Sequence, residues 1–228
     1  MDFRQELRKC AETGGEYAIF NKRTVNTQKD VLGVRMGKVR NIAKGLVKER
    51  SVVDLEKLLH DMDKDVYEEV LVVGLAIGYA KISDAERIRL MRKWLPAVDS
   101  WALIDSMSTT IKKFDPELWR DFVVECVGSS KEYVVRFGVI FLMNHLLDDQ
   151  GWALPVLRKV RHDGYYVKMG LAWTYAELAL KDFDVAMTEM SNKKIDVWTR
   201  RKALTKMIES YRLTAEQKEQ IRTLRSSL

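Results

Sequence analysis

The sequence predicts an all-α protein, a curved solenoid of stacked helix pairs. Apolar residues recur at helical spacing along nearly the whole chain, and no segment shows sustained strand alternation. Similar segments also return about every 32 residues, a period typical of stacked helical units. The clearest copies are 133–138 and 165–170, in which tyrosine, valine, a basic residue and glycine coincide. Because each unit buries its apolar face on the next, we expect an extended concave surface.

A small residue marks the same point of each repeat. Gly138 and Gly170 have counterparts at Ser106 and Gly74, and Ala203 follows one residue later than the period predicts. We expect this position to be a packing contact between helices. The longer helices that carry it are expected to line the concave surface.

Turn and capping residues divide the chain into helices. Ser83 with Glu86 has the spacing of a capping box, and Asp115 precedes Pro116 as an N-cap precedes a first-turn proline. The predicted helices span 2–12, 35–48, 52–62, 65–80, 84–95, 99–113, 116–127, 130–147, 152–162, 164–180, 183–191, 195–211 and 214–225.

The N-terminal region is the least regular part of the pattern. Gly14-Gly15 interrupts it and residues 21–30 are polar with β-branched residues, so we predict one short helix and a loop within 13–30. Residues 148–151 are expected to form a turn between helices. No linker composition occurs, which favours a single repeat domain over 1–228, with a variable element at 1–30 and repeats at 31–228.

Composition excludes several classes of site. The two cysteines, Cys10 and Cys126, are too far apart in sequence for a ligand motif, and the three histidines fall in different repeats. We therefore expect no metal and no cofactor. The apolar segments are too short or too charged to span a bilayer. A monomer in a reducing cytoplasm fits this composition, associated with the nucleoid if it acts on DNA.

Basic residues recur with the repeat. Arg136, Lys168 and Arg201, or Arg200 beside it, occupy corresponding positions in three successive repeats, and the formal net charge is +6. Stacking would align these cations into a stripe that suits a phosphate backbone. We expect further contacts from three cations of the predicted helix 35–48, namely Lys38, Arg40 and Lys44.

Trp101 and Asp105 are one helical turn apart and share a face of their helix. Asp105 lies on a mostly apolar helix, and a buried carboxylate is costly without a partner. It requires a hydrogen-bond donor, a cation such as Arg136, or a ligand. On a helical wheel Trp101, Asp105, Arg136 and Trp173 all lie on the side away from the small residue. A structural ion pair and core packing of the tryptophans remain open.

Five segments of the chain have residue types in a specific order and spacing. They are Leu32-Gly33-Val34-Arg35 with Arg40-Asn41-Ile42-Ala43-Lys44, then Tyr67-Glu68-Glu69, Trp101-Ala102-Leu103-Ile104-Asp105, Arg136-Phe137-Gly138-Val139, and 165–173. Together they resemble the AlkD-like DNA alkylation repair proteins. The resemblance covers the chain from about residue 30 to its C-terminus and leaves the N-terminal element unassigned.

The resemblance implies a HEAT-like helical repeat solenoid, an α-α superhelix with a concave face that binds duplex DNA. In catalytic members it implies hydrolysis of the N-glycosidic bond of cationic N3- or N7-alkylated purines. The family's functional tryptophan, aspartate, arginine and second tryptophan match Trp101, Asp105, Arg136 and Trp173. The departing base is already cationic, so a carboxylate that stabilises an oxocarbenium-like sugar is the main requirement.

Three functions stay open at this point. The first is a monofunctional alkylpurine-DNA glycosylase. The second is a DNA-binding repeat protein that recognises distorted or branched DNA without cutting it, and the third is a protein–protein scaffold. Fold alone does not choose among them.

Overall fold

The computed structural model describes residues 2–48 and 51–228 and confirms the all-α prediction. These residues form fourteen α-helices and one 3₁₀ turn, and the single β pairing among them is an isolated bridge between Asp30 and Val66. The helices are α1 (Phe3–Lys9), α2 (Glu16–Val25), α3 (Met36–Leu46), α4 (Val52–Asp61), α5 (Tyr67–Tyr79), α6 (Asp84–Trp94), α7 (Trp101–Ser108), α8 (Pro116–Val127), α9 (Glu132–His145), α10 (Gln150–Leu157), α11 (Tyr165–Lys181), α12 (Phe183–Ser191), α13 (Val197–Glu209) and α14 (Ala215–Ser226). The 3₁₀ turn is Leu95–Ala97.

The chain forms two compact units, residues 1–122 (unit 1) and 123–228 (unit 2), and the boundary falls within α8. In unit 1, α1, α3, α5 and α7 pack in sequence as one layer, while α4 and α6 contact each other and α5. In unit 2, α9, α11 and α13 pack in sequence, α12 contacts both α11 and α13, and α14 packs on α13. Alternate helices therefore lie side by side, as a helical repeat requires. A single domain over 1–228 stays a prediction.

Neighbouring helices of a layer run in the same direction, although α7, with 8 residues, is shorter than α6, with 11, and is not the long helix that the sequence predicts. In unit 2 the first turns of α11 and α13 meet through Tyr165 and Trp198, whose ring centroids are 5.7 Å apart. In unit 1 the last turn of α5 meets the end of α7, since Gly78 leaves room for Thr110. Corresponding residues of neighbouring repeats are thereby placed at the same end of a layer.

Two of the repeat glycines, Gly74 and Gly138, are closely packed. A Cβ atom on Gly74 of α5 would lie 2.4 Å from the indole ring of Trp94, which is fully buried and donates its N–H to the carbonyl of Val70 at 2.9 Å. A Cβ on Gly138 would lie 2.8 Å from Val127 in α8. The small residue thus allows helices to approach.

Several predicted helix boundaries shift, among them the end of the helix predicted at 152–162, which ends at Leu157, and two shifts have clear local reasons. The expected helix 99–113 ends as α7 at Ser108, where the hydroxyl of Thr110 donates to the carbonyl of Met107 at 2.6 Å. The expected turn at 148–151 is wrong in part, because α10 begins at Gln150. The side chain of Asp149 caps this helix by accepting the backbone N–H of Trp152.

Candidate functional site

The first turn of α7 is anchored to the C-terminal end of α2. Ser100 is buried, caps α7 by accepting the N–H of Ala102, and donates its hydroxyl to the carbonyl of Val25 at 2.6 Å. Asp99 accepts hydrogen bonds from the hydroxyl of Thr27 at 2.7 Å and the N–H of Gln28 at 3.0 Å. These contacts fix the direction in which α7 starts.

Trp101 and Asp105 follow on this anchored helix, one turn apart. The indole N–H of Trp101 donates to the carbonyl of Thr24 at 3.2 Å, so α2 also orients the ring. Both side chains are half-buried, while Leu103, Ile104 and Met107 of the same helix are fully buried. The structure therefore places a carboxylate and an indole together at the edge of the core of unit 1.

The role of α2 was missing from the sequence prediction. A short helix was expected in 13–30, and α2 confirms it, but nothing in its residues pointed towards Trp101. The acceptors are the backbone carbonyls of Thr24 and Val25, which every residue type possesses. No side-chain motif could have revealed this contact.

Arg136 is directed into unit 2. It is 5% exposed, and its Nη1 donates to the carbonyl of Tyr166 at 2.6 Å. Gly170 faces this guanidinium, since a Cβ there would lie 3.5 Å from Nη1. The arginine of one repeat thus holds the first turn of the helix that belongs to the next repeat.

The other two corresponding cations also make contacts within unit 2. Lys168 is 3.2 Å from Asp163 and 4.0 Å from Asp196, the N-cap of α13. Arg200 is buried, and its Nε donates to the carbonyl of Ile195 at 3.1 Å. Arg201 is exposed beside it. Of the two arginines proposed for this repeat, Arg201 is the one that presents its charge to solvent.

Asp196 illustrates the electrostatics at this helix end. Partial burial of Asp196 raises its carboxyl pKa. Hydrogen bonds from Thr199 and Trp198 and the positive charge of Lys168 lower the pKa by more than burial raises it, so the net shift is downward. The carboxyl remains ionised and keeps its cap on α13. Its charge also offsets part of that of Lys168.

Trp173 lies on α11, 36% exposed, with its indole N–H directed at Glu177. The Nε1–Oε1 distance is 3.2 Å. The Nη2 of Arg212 donates to both oxygens of the same carboxylate, at 3.0 and 3.1 Å. These residues line an open groove between α11 and the end of α13. The four-residue spacing of Trp173 and Glu177 could have been noticed in the sequence, whereas Arg212 could not.

The cations predicted in unit 1 lie on α3. Lys38 and Lys44 are exposed and Arg40 is half-buried. The ammonium of Lys44 lies 5.4 Å from the ring centroid of Tyr79, a cation–π contact that leaves the lysine at the surface. These residues supply positive charge on the helix that packs beside α5.

Within residues 2–48 and 51–228, no group of three or more His, Cys, Asp or Glu side chains is placed to hold a metal ion. In the same residues no helix has the length and apolar character needed to cross a membrane.

Comparison with known proteins identifies the family. The family described as DNA alkylation repair enzyme matches residues 3–207, which is most of the chain. The matched range begins well before residue 30 and therefore includes α1 and α2, which the resemblance had left unassigned. No curated protein matches. The chain therefore belongs to the DNA alkylation repair enzyme family.

Proposed function

We propose that this protein is a monofunctional DNA glycosylase that binds duplex DNA and removes cationic N3- or N7-alkylated purines. The proposal depends chiefly on one observation: α7 presents the carboxylate of Asp105 and the indole of Trp101 on one half-buried face, in a chain of the DNA alkylation repair family. Trp173 and Arg136 complete the proposed set of catalytic residues, as the sequence resemblance implies.

The main contribution that this reaction requires from the protein is electrostatic stabilisation of the transition state. In an alkylated purine the base carries positive charge, so the C1′–N bond can break with its electron pair leaving on a neutral base. The sugar then develops oxocarbenium character, which a nearby carboxylate stabilises and a cationic side chain would not. Water adds to C1′ and loses its proton to Asp105 or to solvent. No cofactor enters this sequence of steps.

The tryptophans fit the charge of this substrate. An indole face is attracted to a nearby cation by about 0.5–2 kcal/mol, depending on how far the pair is desolvated. Trp101 and Trp173 are both partly exposed, so each has indole surface available to a cationic nucleotide. Hydrogen bonds to Thr24 and Glu177 orient the two rings before substrate arrives.

Affinity for the DNA backbone is assigned to the exposed cations. Lys38, Lys44 and Arg201 are exposed, whereas Arg136 and Arg200 are buried against backbone carbonyls. Phosphate contacts of this kind carry no sequence information. We therefore propose binding that depends on salt and varies little with sequence.

The test is release of free base. Purified protein is incubated with duplex DNA treated with a methylating agent, and the supernatant is chromatographed for 3-methyladenine and 7-methylguanine. We expect both bases from the wild type and neither from unmethylated duplex. If the protein binds the duplex but releases neither base, the non-cutting DNA-binding function replaces this proposal.

A further inference from the structure

Four aromatic side chains form a continuous row across the first turns of α9, α11 and α13. This aromatic row consists of Tyr133, Tyr166, Tyr165 and Trp198. Tyr133 stacks on Tyr166 with 5.8 Å between ring centroids, Tyr166 meets Tyr165 edge-on at 5.1 Å, and Tyr165 meets Trp198 at 5.7 Å. All four lie within unit 2.

The row is produced by the repeat. Tyr133 and Tyr165 occupy corresponding positions of successive repeats, as do Tyr166 and Trp198. Because the three helices run in the same direction, these positions meet at one end of the layer. The N–H of Tyr166 is also fixed by the carboxylate of Glu132, which accepts it at 2.6 Å. A side chain of the neighbouring helix α9 thus holds the backbone of α11 at Tyr166.

The far end of the row is open to solvent. Tyr165 is 55% exposed and Trp198 is 37% exposed, and Val197 beside them is 45% exposed. Large apolar groups of this size are usually buried in a soluble protein, and a contiguous exposed group of them marks a contact surface. The excision chemistry proposed above does not use any of these residues.

Basic residues surround the row. The loops that lead into α9, α11 and α13 carry five exposed cations, namely Lys131, Lys159, Arg161, Lys193 and Lys194. Their exposed acidic residues are Asp163 and Asp196, and Lys168 lies close to both. The border of the aromatic row is therefore net positive, which suits a polyanion.

We propose that the aromatic row stacks against unpaired bases of single-stranded DNA while the basic loops contact the adjoining phosphates. Every base has a π face, so aromatic side chains beside a positive groove bind single strands with little sequence preference. The proposal rests on DNA as the partner of the proposed function but is independent of base excision.

Charge favours this occupant over a docked protein. Tyrosine and tryptophan also occur at the centres of protein interfaces, but lysine is depleted there. Here three exposed lysines, Lys131, Lys193 and Lys194, lie in the loops that border the rings. The charge of these loops therefore favours a single DNA strand over a protein as the occupant.

The test compares two DNA forms and matched variants. Fluorescence anisotropy measures the affinity of the wild type and of the Tyr165→Ala/Trp198→Ala double variant for a labelled 16-nucleotide oligothymidylate and for a fully paired duplex of the same length. Stacking is worth about 1–3 kcal/mol per base, so we expect the double variant to bind the single strand at least tenfold more weakly. Its affinity for the duplex and its rate of base release should stay within about twofold of the wild type.

Two controls separate stacking from folding and from nonspecific contact. The Tyr165→Phe/Trp198→Phe variant keeps aromatic rings at both positions and should recover most of the single-strand affinity. Tyr211→Ala removes a fully exposed tyrosine of unit 2 outside the row and should change nothing. Circular dichroism establishes that each variant is folded.

Three results would overturn the proposal. The wild type could fail to bind the oligothymidylate, the double alanine variant could bind it as well as the wild type, or affinity for the duplex could fall by the same factor. A fourth, a phenylalanine variant as weak as the alanine variant, would also contradict stacking. None of these results depends on whether the protein releases alkylated bases.

Discussion

The indole of Trp173 is held by a carboxylate that is itself held by an arginine. Glu177 accepts the indole N–H and receives both contacts of Arg212, although Arg212 lies in the next repeat. Since Arg212 is 65% exposed at its side chain, the ion pair by itself is worth little. Its value would lie in fixing the ring that we propose to face the nucleotide.

We predict that Glu177→Ala slows base release more than Glu177→Gln does. The glutamine keeps an oxygen that can accept the indole N–H, whereas alanine removes the acceptor. A hydrogen bond to a charged group is worth about 1.5–3 kcal/mol, which corresponds to roughly ten- to 150-fold in rate. Single-turnover release of 7-methylguanine measures the effect, with Arg222→Ala, another exposed arginine of unit 2, as control. Equal rates for wild type and Glu177→Ala would show that Trp173 needs no such support.

At the scale of helices, the repeat pattern predicted which elements form, while side-chain details decided their ends. Apolar spacing located the helices because each must bury one face against its neighbours. It did not reveal the hydroxyl of Thr110 that closes α7 or the cap that Asp149 places on α10. The sequence also did not reveal that the side chain of Arg136 is buried in unit 2, because its acceptor is the backbone carbonyl of Tyr166 and not a complementary side chain.

The close approach of α5 and α6 depends on Gly74. We predict that Gly74→Ala destabilises the protein by about 1–3 kcal/mol, because the added methyl group overlaps the indole of Trp94 and forces the packed helices apart. Gly37→Ala is the control, since α3 has open space at that position. It should be neutral or stabilising by up to about 1 kcal/mol. Urea unfolding followed by circular dichroism measures both, and equal effects of the two substitutions would refute the packing argument.

Glu56 of α4 joins α4 to α6 through Arg89 and Lys93. Hydrogen bonds from these two cations lower the Glu56 pKa to about 2. A carboxyl whose pKa is lower in the folded state stabilises the fold at pH values above its unfolded pKa, which is about 4.5 for Glu56. This contribution is lost as the pH falls towards the folded pKa of about 2.

We therefore expect Glu56→Gln to be less stable than the wild type at pH 7, with the difference vanishing near pH 2 and shrinking in high salt. The free energy of unfolding in urea, measured across this range, is the readout. A difference that persists at pH 2 would point to packing and not to charge.

At the scale of the whole molecule, the sequence resemblance indicated the family but left the N-terminal element out. The match over residues 3–207 includes that element, and α2 proves to hold the start of α7. The four candidate catalytic residues could be named from the sequence because their types and order resemble the family. The supporting contacts from Thr24 and Arg212 come from distant parts of the chain and have no local signature, whereas Glu177 lies one helical turn from Trp173.

DNA affinity should be carried by the exposed cations of both units. We predict that charge reversal at Lys44 and Arg201 weakens binding to all duplex sequences by similar factors. The log–log salt slope should fall by about 0.9 for each lost phosphate contact. Filter binding at several salt concentrations measures this slope. Lys113→Glu, in the exposed loop after α7, serves as control. A loss of affinity that depends on the DNA sequence, or no loss at all, would contradict the assignment of phosphate contacts to these residues.

The most direct test of the proposed chemistry compares the wild type with Asp105→Asn in single-turnover release of 7-methylguanine from methylated duplex. The amide keeps the shape of the side chain and removes the charge that would stabilise the sugar in the transition state. That loss is on the order of 3 kcal/mol or more, so we predict release at least about a hundredfold slower, with DNA affinity within about twofold. Release by Asp105→Asn at the wild-type rate would contradict the assignment of Asp105 as the catalytic carboxylate.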